Sequence, residues 1–169
     1  MLGYYEGFPE NPQKTAFFTF SISNKRLQQT LIQTLYEING KSFDLQEVSD
    51  PSIPNCTVIF EFGIAEENTF NYLDKEENKK LLKVLKKTPF KITDFYCAVR
   101  YYKTKNNKKT PLKFDYYMVR FLFENKLLET RIFHERGPEH ATPDDIINFI
   151  IGRINEKLSR KIVRILEES

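Results

Sequence analysis

The period of the apolar positions changes several times along the chain, and each change predicts an element. Residues 16–22 alternate apolar and polar side chains and are rich in phenylalanine, which predicts a half-buried strand. Leucine and isoleucine then recur at helical spacing over 27–38, behind Ser23 as an N-cap, which predicts an amphipathic helix. A weak strand over 43–48 and a stronger one over 56–62 are expected next.

The following polar and apolar stretches predict a second helix that ends near Lys87. Asn68 and Thr69 offer its N-cap, and apolar side chains over 81–85 supply a buried face before Pro89 stops it. Residues 74–80 in its middle are almost wholly polar, so we expect this part of the helix to be kinked or to face solvent.

Three strand candidates follow in close succession. Residues 90–103 and 112–124 flank a polar loop over 104–111, an arrangement that is typical of a hairpin. A tight turn at 124–126 leads into a third strand over 127–134. The three segments therefore predict an antiparallel meander.

The C-terminal segment begins with strong signals for a helix. Thr142 can cap the helix, Pro143 suits its first position, and Asp144 and Asp145 lie near the positive end of the helix dipole. Isoleucine and leucine keep the 3.6-residue period for more than five turns. We therefore expect this helix to reach about Glu167 and to pack along the sheet.

Together these elements predict a single α+β domain. Its antiparallel sheet includes a C-terminal three-strand meander packed against a long C-terminal helix and two shorter helices. A chain of 169 residues is long enough to bury one ordinary core. Residues 1–13 carry glycines, prolines and aromatic rings, and we expect them to form an irregular N-terminal arm that packs only by its rings. Residues 14–169 are expected to form the domain.

Composition places the chain among folded globular proteins, since 40% of its residues are apolar and 29% are charged. Its start lacks the basic and apolar regions of a signal peptide, and no stretch approaches the ~18 apolar residues of a membrane span. Cys56 and Cys97 both fall in predicted strands, where a buried thiol is an ordinary core residue. We therefore expect a cytoplasmic protein without a membrane partner.

The formal net charge of +3 is small, so the placement of the charges matters more than their sum. Six basic residues surround the predicted hairpin loop in a stretch without acidic residues, and tyrosines flank it. Lysine and arginine neutralise phosphates, while aromatic rings stack on unpaired bases. This pattern predicts a surface for RNA or single-stranded DNA, with the candidate residues Arg100, Tyr102, Lys103, Lys105, Lys108, Lys109 and Lys113. The alternative is a solvated hairpin tip, because edge lysines also protect hairpins from aggregation.

The predicted C-terminal helix adds a strip of basic residues. Arg153, Lys157, Arg160 and Arg164 recur at helical spacing, about 100° round from the apolar stripe. The strip could extend a phosphate-binding surface. The alternative is the border of an amphipathic helix, where basic side chains cover the apolar edge.

The densest polar cluster, residues 131–140, holds both histidines of the chain. His134 and His140 could bind a divalent metal with Glu135 or Glu139, or one histidine could act as a general base oriented by a carboxylate. A turn separates the two histidines, and their spacing matches no known ligand pattern. His134, His140 and Glu135 are therefore candidates for a ligand-binding or catalytic site, and a simple connecting loop is the alternative.

Several chemistry-bearing motifs are absent from the sequence. It has no glycine-rich phosphate loop, no Gly-x-Ser-x-Gly elbow, no Cys-x-x-Cys pair and no zinc-finger spacing. We expect neither a cofactor nor a bound metal. The leading hypothesis is a non-enzymatic binding or assembly module that contacts RNA, DNA or a protein partner. The alternatives are a small-ligand-binding protein or hydrolase-type enzyme with its site in the 134–140 loop, and a homodimer that associates through uncovered aromatic strands.

Overall fold

One antiparallel sheet runs through the molecule. The computed structural model describes residues 2–50 and 53–168. The first residue of the predicted arm, Met1, and the last residue of the predicted domain, Ser169, lie outside the described residues, as do Pro51 and Ser52. In the described part of the chain the strands are β1 (Gly3–Tyr4), β2 (Lys14–Thr19), β3 (Ser42–Asp44), β4 (Cys56–Glu66), β5 (Thr69–Tyr72), β6 (Ile92–Lys105), β7 (Lys108–Pro111), β8 (Asp115–Glu124), β9 (Leu127–Arg136) and β10 (Arg164–Glu168). Their order is β1-β5-β4-β6-β8-β9-β2-β10, with β3 paired to β4 and β7 paired to β6.

Three helices complete the described fold: α1 (Asn24–Ile38), α2 (Lys75–Lys87) and α3 (Pro143–Lys157). α1 contacts both other helices and β4, and α3 packs against β9. Leu27, Leu35, Val99 and Ile154 are completely buried between helices and sheet, and each such side chain contributes about 1.5–3 kcal/mol when withdrawn from water. The predicted α+β class, with its meander and three helices, is confirmed.

The helix starts predicted at Ser23 and Thr142 are both present. The Ser23 hydroxyl accepts a hydrogen bond from the Arg26 amide at 3.1 Å, and the Thr142 hydroxyl accepts one from the Asp145 amide at 3.2 Å. The Thr142 amide in turn donates a hydrogen bond to the Asp145 carboxylate at 2.9 Å. These bonds satisfy amides that the first helical turn leaves without partners.

The C-terminal helix ends earlier than predicted. It stops at Lys157, and Ser159 takes a left-handed conformation with φ of 61°. The chain then turns back and pairs β10 with the edge of β2. Ile162, whose position fits the helical period, lies in the loop before β10, and its side chain is buried. The expectation of a helix to Glu167 is therefore wrong, because a free strand edge gave the remaining backbone another set of hydrogen-bond partners.

The second helix begins later than predicted. Residues 69–72 form β5, which pairs with the end of β4 through a turn that holds Glu67 at φ of 56°. Asp74, rather than Asn68 or Thr69, caps α2, and its side chain accepts from the Glu77 amide at 2.9 Å.

The polar loop predicted over 104–111 is mostly strand. Asn106 and Asn107 have φ values of 52° and 63°, which close a two-residue hairpin turn. Asparagine tolerates this left-handed conformation better than most residues. β7 consequently pairs with the end of β6.

The N-terminal arm crosses the sheet face opposite the helices. β1 pairs with β5, so the arm is held by backbone hydrogen bonds as well as by its rings, which corrects the expectation of ring contacts alone. The Tyr5 hydroxyl donates to Asp94, and the Phe8 ring lies 4.8 Å from the Arg120 guanidinium.

Among the described residues, no helix has both the length and the apolar character needed to cross a bilayer.

Candidate functional site

The β6–β7 hairpin carries the densest group of positive charge predicted from the sequence. β4 accompanies β6 as far as Lys103, so the ribbon extends little beyond the rest of the sheet. Five lysines on it or beside it are exposed: Lys103, Lys105, Lys108, Lys109 and Lys113. In the part of the chain that the structure describes, none of them forms an ion pair with a carboxylate.

Side-chain alternation distributes these lysines over both faces of the ribbon. Lys105 lies directly opposite Lys108 across the two strands, and Thr104 lies opposite Lys109. Lys105 and Lys108 therefore share one face, while Lys109 shares the other face with Tyr102. The tip presents cations on both sides.

Aromatic rings and one arginine form the base of the hairpin. Tyr102 and Phe114 are half-buried, with ring centroids 6.0 Å apart and planes tilted by 58°. Arg100 pairs with Glu61 at 2.8 Å and donates to the Tyr102 hydroxyl at 3.2 Å. Tyr101, on the opposite face of the strand, is fully buried. Arg100 is therefore partly neutralised, whereas the rings beside it remain accessible.

The basic strip predicted on the C-terminal helix does not form one surface. Lys157 pairs with Glu37 at 2.6 Å, and Arg153 lies 3.3 Å from Glu156 with its guanidinium over the Phe43 ring. Arg160 lies beyond the end of α3 and cannot continue the strip. The prediction of a continuous strip through Arg153, Lys157, Arg160 and Arg164 is therefore wrong, because the helix stops first.

Arg160 and the hairpin lie at opposite ends of the sheet. Asp115 pairs with Val99 at the hairpin end of β8, whereas Leu127 and its partner Thr19 lie at the other end. Arg160 lines a cleft that includes Thr19. A strand of about ten residues spans roughly 30 Å, so these two basic regions cannot contact the same few nucleotides.

The two predicted site histidines converge on one buried carboxylate, Asp115. His134 Nε2 lies 2.9 Å from Asp115 Oδ1, and the Tyr101 hydroxyl donates to Oδ2 at 2.6 Å. The backbone amides of Glu139 and His140 donate to the same carboxylate at 2.6 Å and 2.9 Å. Asp115 is completely buried and accepts from four donors, about as many as a carboxylate can hold.

Ring contacts close this network around the histidines. The Tyr101 ring meets the His140 ring edge-on at 4.9 Å, and the Tyr117 ring lies 5.0 Å from that of His134. The Tyr117 hydroxyl donates to the Ala141 carbonyl. Burial raises the pKa of both tyrosine hydroxyls well above the ordinary value, so they act as donors at any physiological pH.

The geometry favours an architectural role for the 134–140 loop. The network fixes the chain that leads into α3, and Glu135 is exposed outside it. Gly137 has φ of 116°, and a Cβ atom there would overlap Phe114 and Asp115. The contact between His134 and Asp115 is of the kind that orients a general base, but His140 reaches Asp115 only through its backbone amide. A catalytic role for His134, His140 and Glu135 therefore remains a prediction.

A second acidic site, which the sequence did not indicate, lies where α2 faces the end of β4. When Glu77 is protonated, its carboxyl group can donate a hydrogen bond to Glu66, and Lys80 Nζ lies 2.7 Å from Glu66 and 3.9 Å from Glu77. Burial raises the pKa of Glu77 to about 7, and the charge of Glu66 acts in the same direction. The shared hydrogen bond lowers the pKa of Glu66.

An apolar cleft of about 320 Å³ adjoins this carboxyl pair. Glu66 and Lys80 stand at its polar side, and Leu81, Val84 and Phe90 contribute to its apolar lining. Val84 is 45% exposed, which leaves part of this apolar wall open to solvent. The cleft therefore places the Glu66 carboxylate and the Lys80 ammonium beside an apolar wall.

Metal binding finds no support in the part of the chain described here, because no three histidine, cysteine or acidic side chains group as a metal site would require.

Comparison with known proteins adds no further identification. No family model, no curated protein and no solved structure matches the chain.

Proposed function

We propose that the chain is a non-enzymatic binding module that contacts single-stranded RNA or DNA through the β6–β7 hairpin. The observation that carries this proposal is the group of five exposed lysines without carboxylate partners in the described part of the chain. Unpaired ammonium groups attract a polyanion without first breaking an internal ion pair.

The arrangement of the tip lysines also supports an anionic partner. Lys105 and Lys108 occupy directly opposed positions, and like charges so placed destabilise a hairpin. Phosphates bound beside this pair would replace one repulsion with two attractions. The stability lost in the free protein is thus recovered on binding.

Tyr102 and Phe114 provide the aromatic component that single-stranded nucleic acid requires. Their rings are accessible at the base of the ribbon, on the face that also carries Lys109. Stacking of one base on such a ring contributes about 1–3 kcal/mol. A strand could therefore place phosphates along the lysines and a base against the rings.

The test is a fluorescence-anisotropy titration of 3′-labelled oligouridine and oligothymidine at several salt concentrations. The triple variant Lys105→Glu, Lys108→Glu and Lys109→Glu should bind on the order of 100-fold more weakly at low salt. The slope of log affinity against log salt should fall by about two, since three phosphate contacts are lost.

The matched control changes Lys75, Lys79 and Lys83 to glutamate on α2. These lysines are also exposed, and the net charge changes equally. A similar loss of affinity in both triple variants would show that total charge, rather than the hairpin, attracts nucleic acid. The proposal fails if the unaltered protein does not bind at low salt.

A homodimer is the second candidate, favoured by the outer edge of β10. This strand ends the sheet, and its residues Ile165 and Leu166 are 51% and 60% exposed. Pairing with a second copy would cover both. Light scattering should then give a dimer mass that Leu166→Lys reduces to the monomer mass; a monomer in the unaltered protein would reject this candidate.

We propose a cytoplasmic location as well. Cys56 and Cys97 are both buried and free, as expected in a reducing compartment. Cell fractionation with a tagged chain would test this, and recovery outside the cytoplasm would contradict it.

A further inference from the structure

A basic cleft of about 450 Å³ lies where the chain leaves α3 and enters β10. Its walls come from two segments that are far apart in sequence, the end of β2 and the loop before β10. The lining residues are Thr19, Phe20, Ser21, Arg160, Lys161, Ile162 and Arg164. Three are cationic, two carry hydroxyl groups, and none is acidic.

The three cations are available to a ligand. Arg160, Lys161 and Arg164 are exposed, and none pairs with a carboxylate among the described side chains, those of residues 2–50 and 53–166. Further along β10 the backbones of Glu167 and Glu168 pair with those of Phe17 and Ala16, whereas Arg164 pairs with Thr19 beside the cleft. Three to four residues of strand therefore separate the backbone of Arg164 from theirs by roughly 10–13 Å.

The loop that carries these cations is fixed before any ligand binds. The Asn155 side chain accepts from the amides of Ile162 and Val163 at 3.0 Å and 2.9 Å and donates to the Val163 carbonyl at 2.9 Å. Arg164 Nε donates to the Lys161 carbonyl at 3.0 Å. A site with a fixed backbone loses less conformational entropy on binding than a flexible one.

We propose that this cleft binds a phosphomonoester. A terminal phosphate carries close to two negative charges at neutral pH and three strong acceptor oxygens, which match three cations and two hydroxyl donors. Arginine is well suited to such recognition because its planar guanidinium can form two parallel hydrogen bonds. The volume exceeds that of a phosphate group, so the phosphate would be attached to an organic group that reaches Phe20 and Ile162 on the cleft wall.

This site is independent of the nucleic-acid interface proposed for the hairpin. The two lie at opposite ends of the sheet, and the cleft has convergent arginines and hydroxyls where the hairpin has divergent lysines. Either proposal can therefore fail while the other stands.

The test compares adenosine 5′-monophosphate with adenosine by calorimetry and by amide chemical shifts. The monophosphate should bind and shift the amides of Ser21 and Lys161, whereas adenosine should not. The double variant Arg160→Gln and Arg164→Gln should weaken binding roughly tenfold or more, since charged hydrogen bonds are lost. The control Lys105→Gln and Lys108→Gln, on the hairpin, should bind the monophosphate as tightly as the unaltered chain.

Two oligonucleotides of one sequence, with a 5′-phosphate or a 5′-hydroxyl, distinguish the sources of the group. Both strands are measured on the Lys105→Gln and Lys108→Gln variant, so that the hairpin contributes little to their binding. Tighter binding of the 5′-phosphorylated strand than of the 5′-hydroxyl strand would assign the cleft to a strand end; equal binding of the two strands, with the monophosphate still bound, would assign it to a small molecule. Equal affinities for adenosine and its monophosphate, or no effect of the Arg160 and Arg164 substitutions, would overturn the proposal. Retained folding of the double variant is checked by its thermal unfolding.

Discussion

Asp115 and the Glu66–Glu77 pair are both acidic sites withdrawn from water, yet their surroundings differ. Asp115 accepts four hydrogen bonds, from β6, from β9 and from two loop amides. Glu77 has a buried oxygen without a hydrogen-bond partner in the described part of the chain; Lys80 Nζ lies 3.9 Å from it, and the charge of Glu66 raises the pKa of Glu77. The Asp115 carboxylate has all its partners, whereas burial favours the protonated form of Glu77.

This difference separates a scaffold from a group that can change state. A carboxylate whose acceptor positions are all filled holds its neighbours in place but has no lone pair to offer a ligand. A carboxyl group that shares a proton near neutral pH can gain or lose charge when its surroundings change. The environment of an acid, rather than its residue type, thus indicates which of the two can respond chemically.

Removing the charge at Asp115 should produce the largest effect on stability. Asp115→Asn replaces two acceptor positions with an amide that donates towards groups that are themselves donors. We expect a loss of about 3–5 kcal/mol in the free energy of unfolding, measured in urea, because the substitution removes a buried charge whose hydrogen-bond donors stay buried. Glu61→Gln, at a half-buried carboxylate paired with Arg100, should cost less than about 1 kcal/mol. Similar costs for both variants would show that the protein depends no more on the charge of Asp115 than on that of Glu61.

A pair of glycine substitutions tests the same network without altering a charge. Gly137 and Gly7 have nearly the same φ, 116° and 112°, but only a Cβ at Gly137 would overlap the chain around Asp115, while Gly7 has open space. Both alanine variants bear the backbone strain of about 1–3 kcal/mol. Any further loss in Gly137→Ala measures how rigidly the network holds the loop, and an equal loss in both would contradict that rigidity.

Much of the fold followed from the sequence, because its strands and helices obey the pattern of apolar positions and carry recognisable caps. Ser23 and Thr142 begin helices as predicted. The end of α3 did not follow, since Ile162 and Ile165 keep the helical period although Asn155 turns the chain back towards β2. A local pattern cannot report that a distant strand edge is free.

The candidate sites were less predictable, because they depend on contacts between distant residues. The clustering of His134 and His140 was visible, but Asp115, which joins them, is 19 residues from His134. Glu66 and Glu77 belong to separate elements and give no motif. The hairpin lysines were identifiable because they are neighbours in sequence as well as in space.

The Glu66–Glu77 pair should produce a smaller effect that depends on pH. The pKa of Glu77 is about 7 in the folded chain and near 4.5 in its ordinary environment, so the folded state holds this proton more tightly. Protonation of Glu77 therefore stabilises the folded state fully below about pH 4.5, and this stabilisation is lost as the pH rises through 7. The lowered pKa of Glu66 changes stability only below about pH 4.5, so it does not cancel the effect of Glu77.

Glu77→Gln, which imitates the protonated acid, should therefore stabilise the protein by roughly 1–2 kcal/mol at pH 8 and by much less at pH 5. Urea unfolding at both pH values measures this difference. Glu76→Gln removes the same charge from an exposed position on the same helical turn and is the control for net charge. If Glu77→Gln gave the same change at pH 5 and pH 8, the pair would not share a proton near neutrality. Glu77 would then be compensated as completely as Asp115.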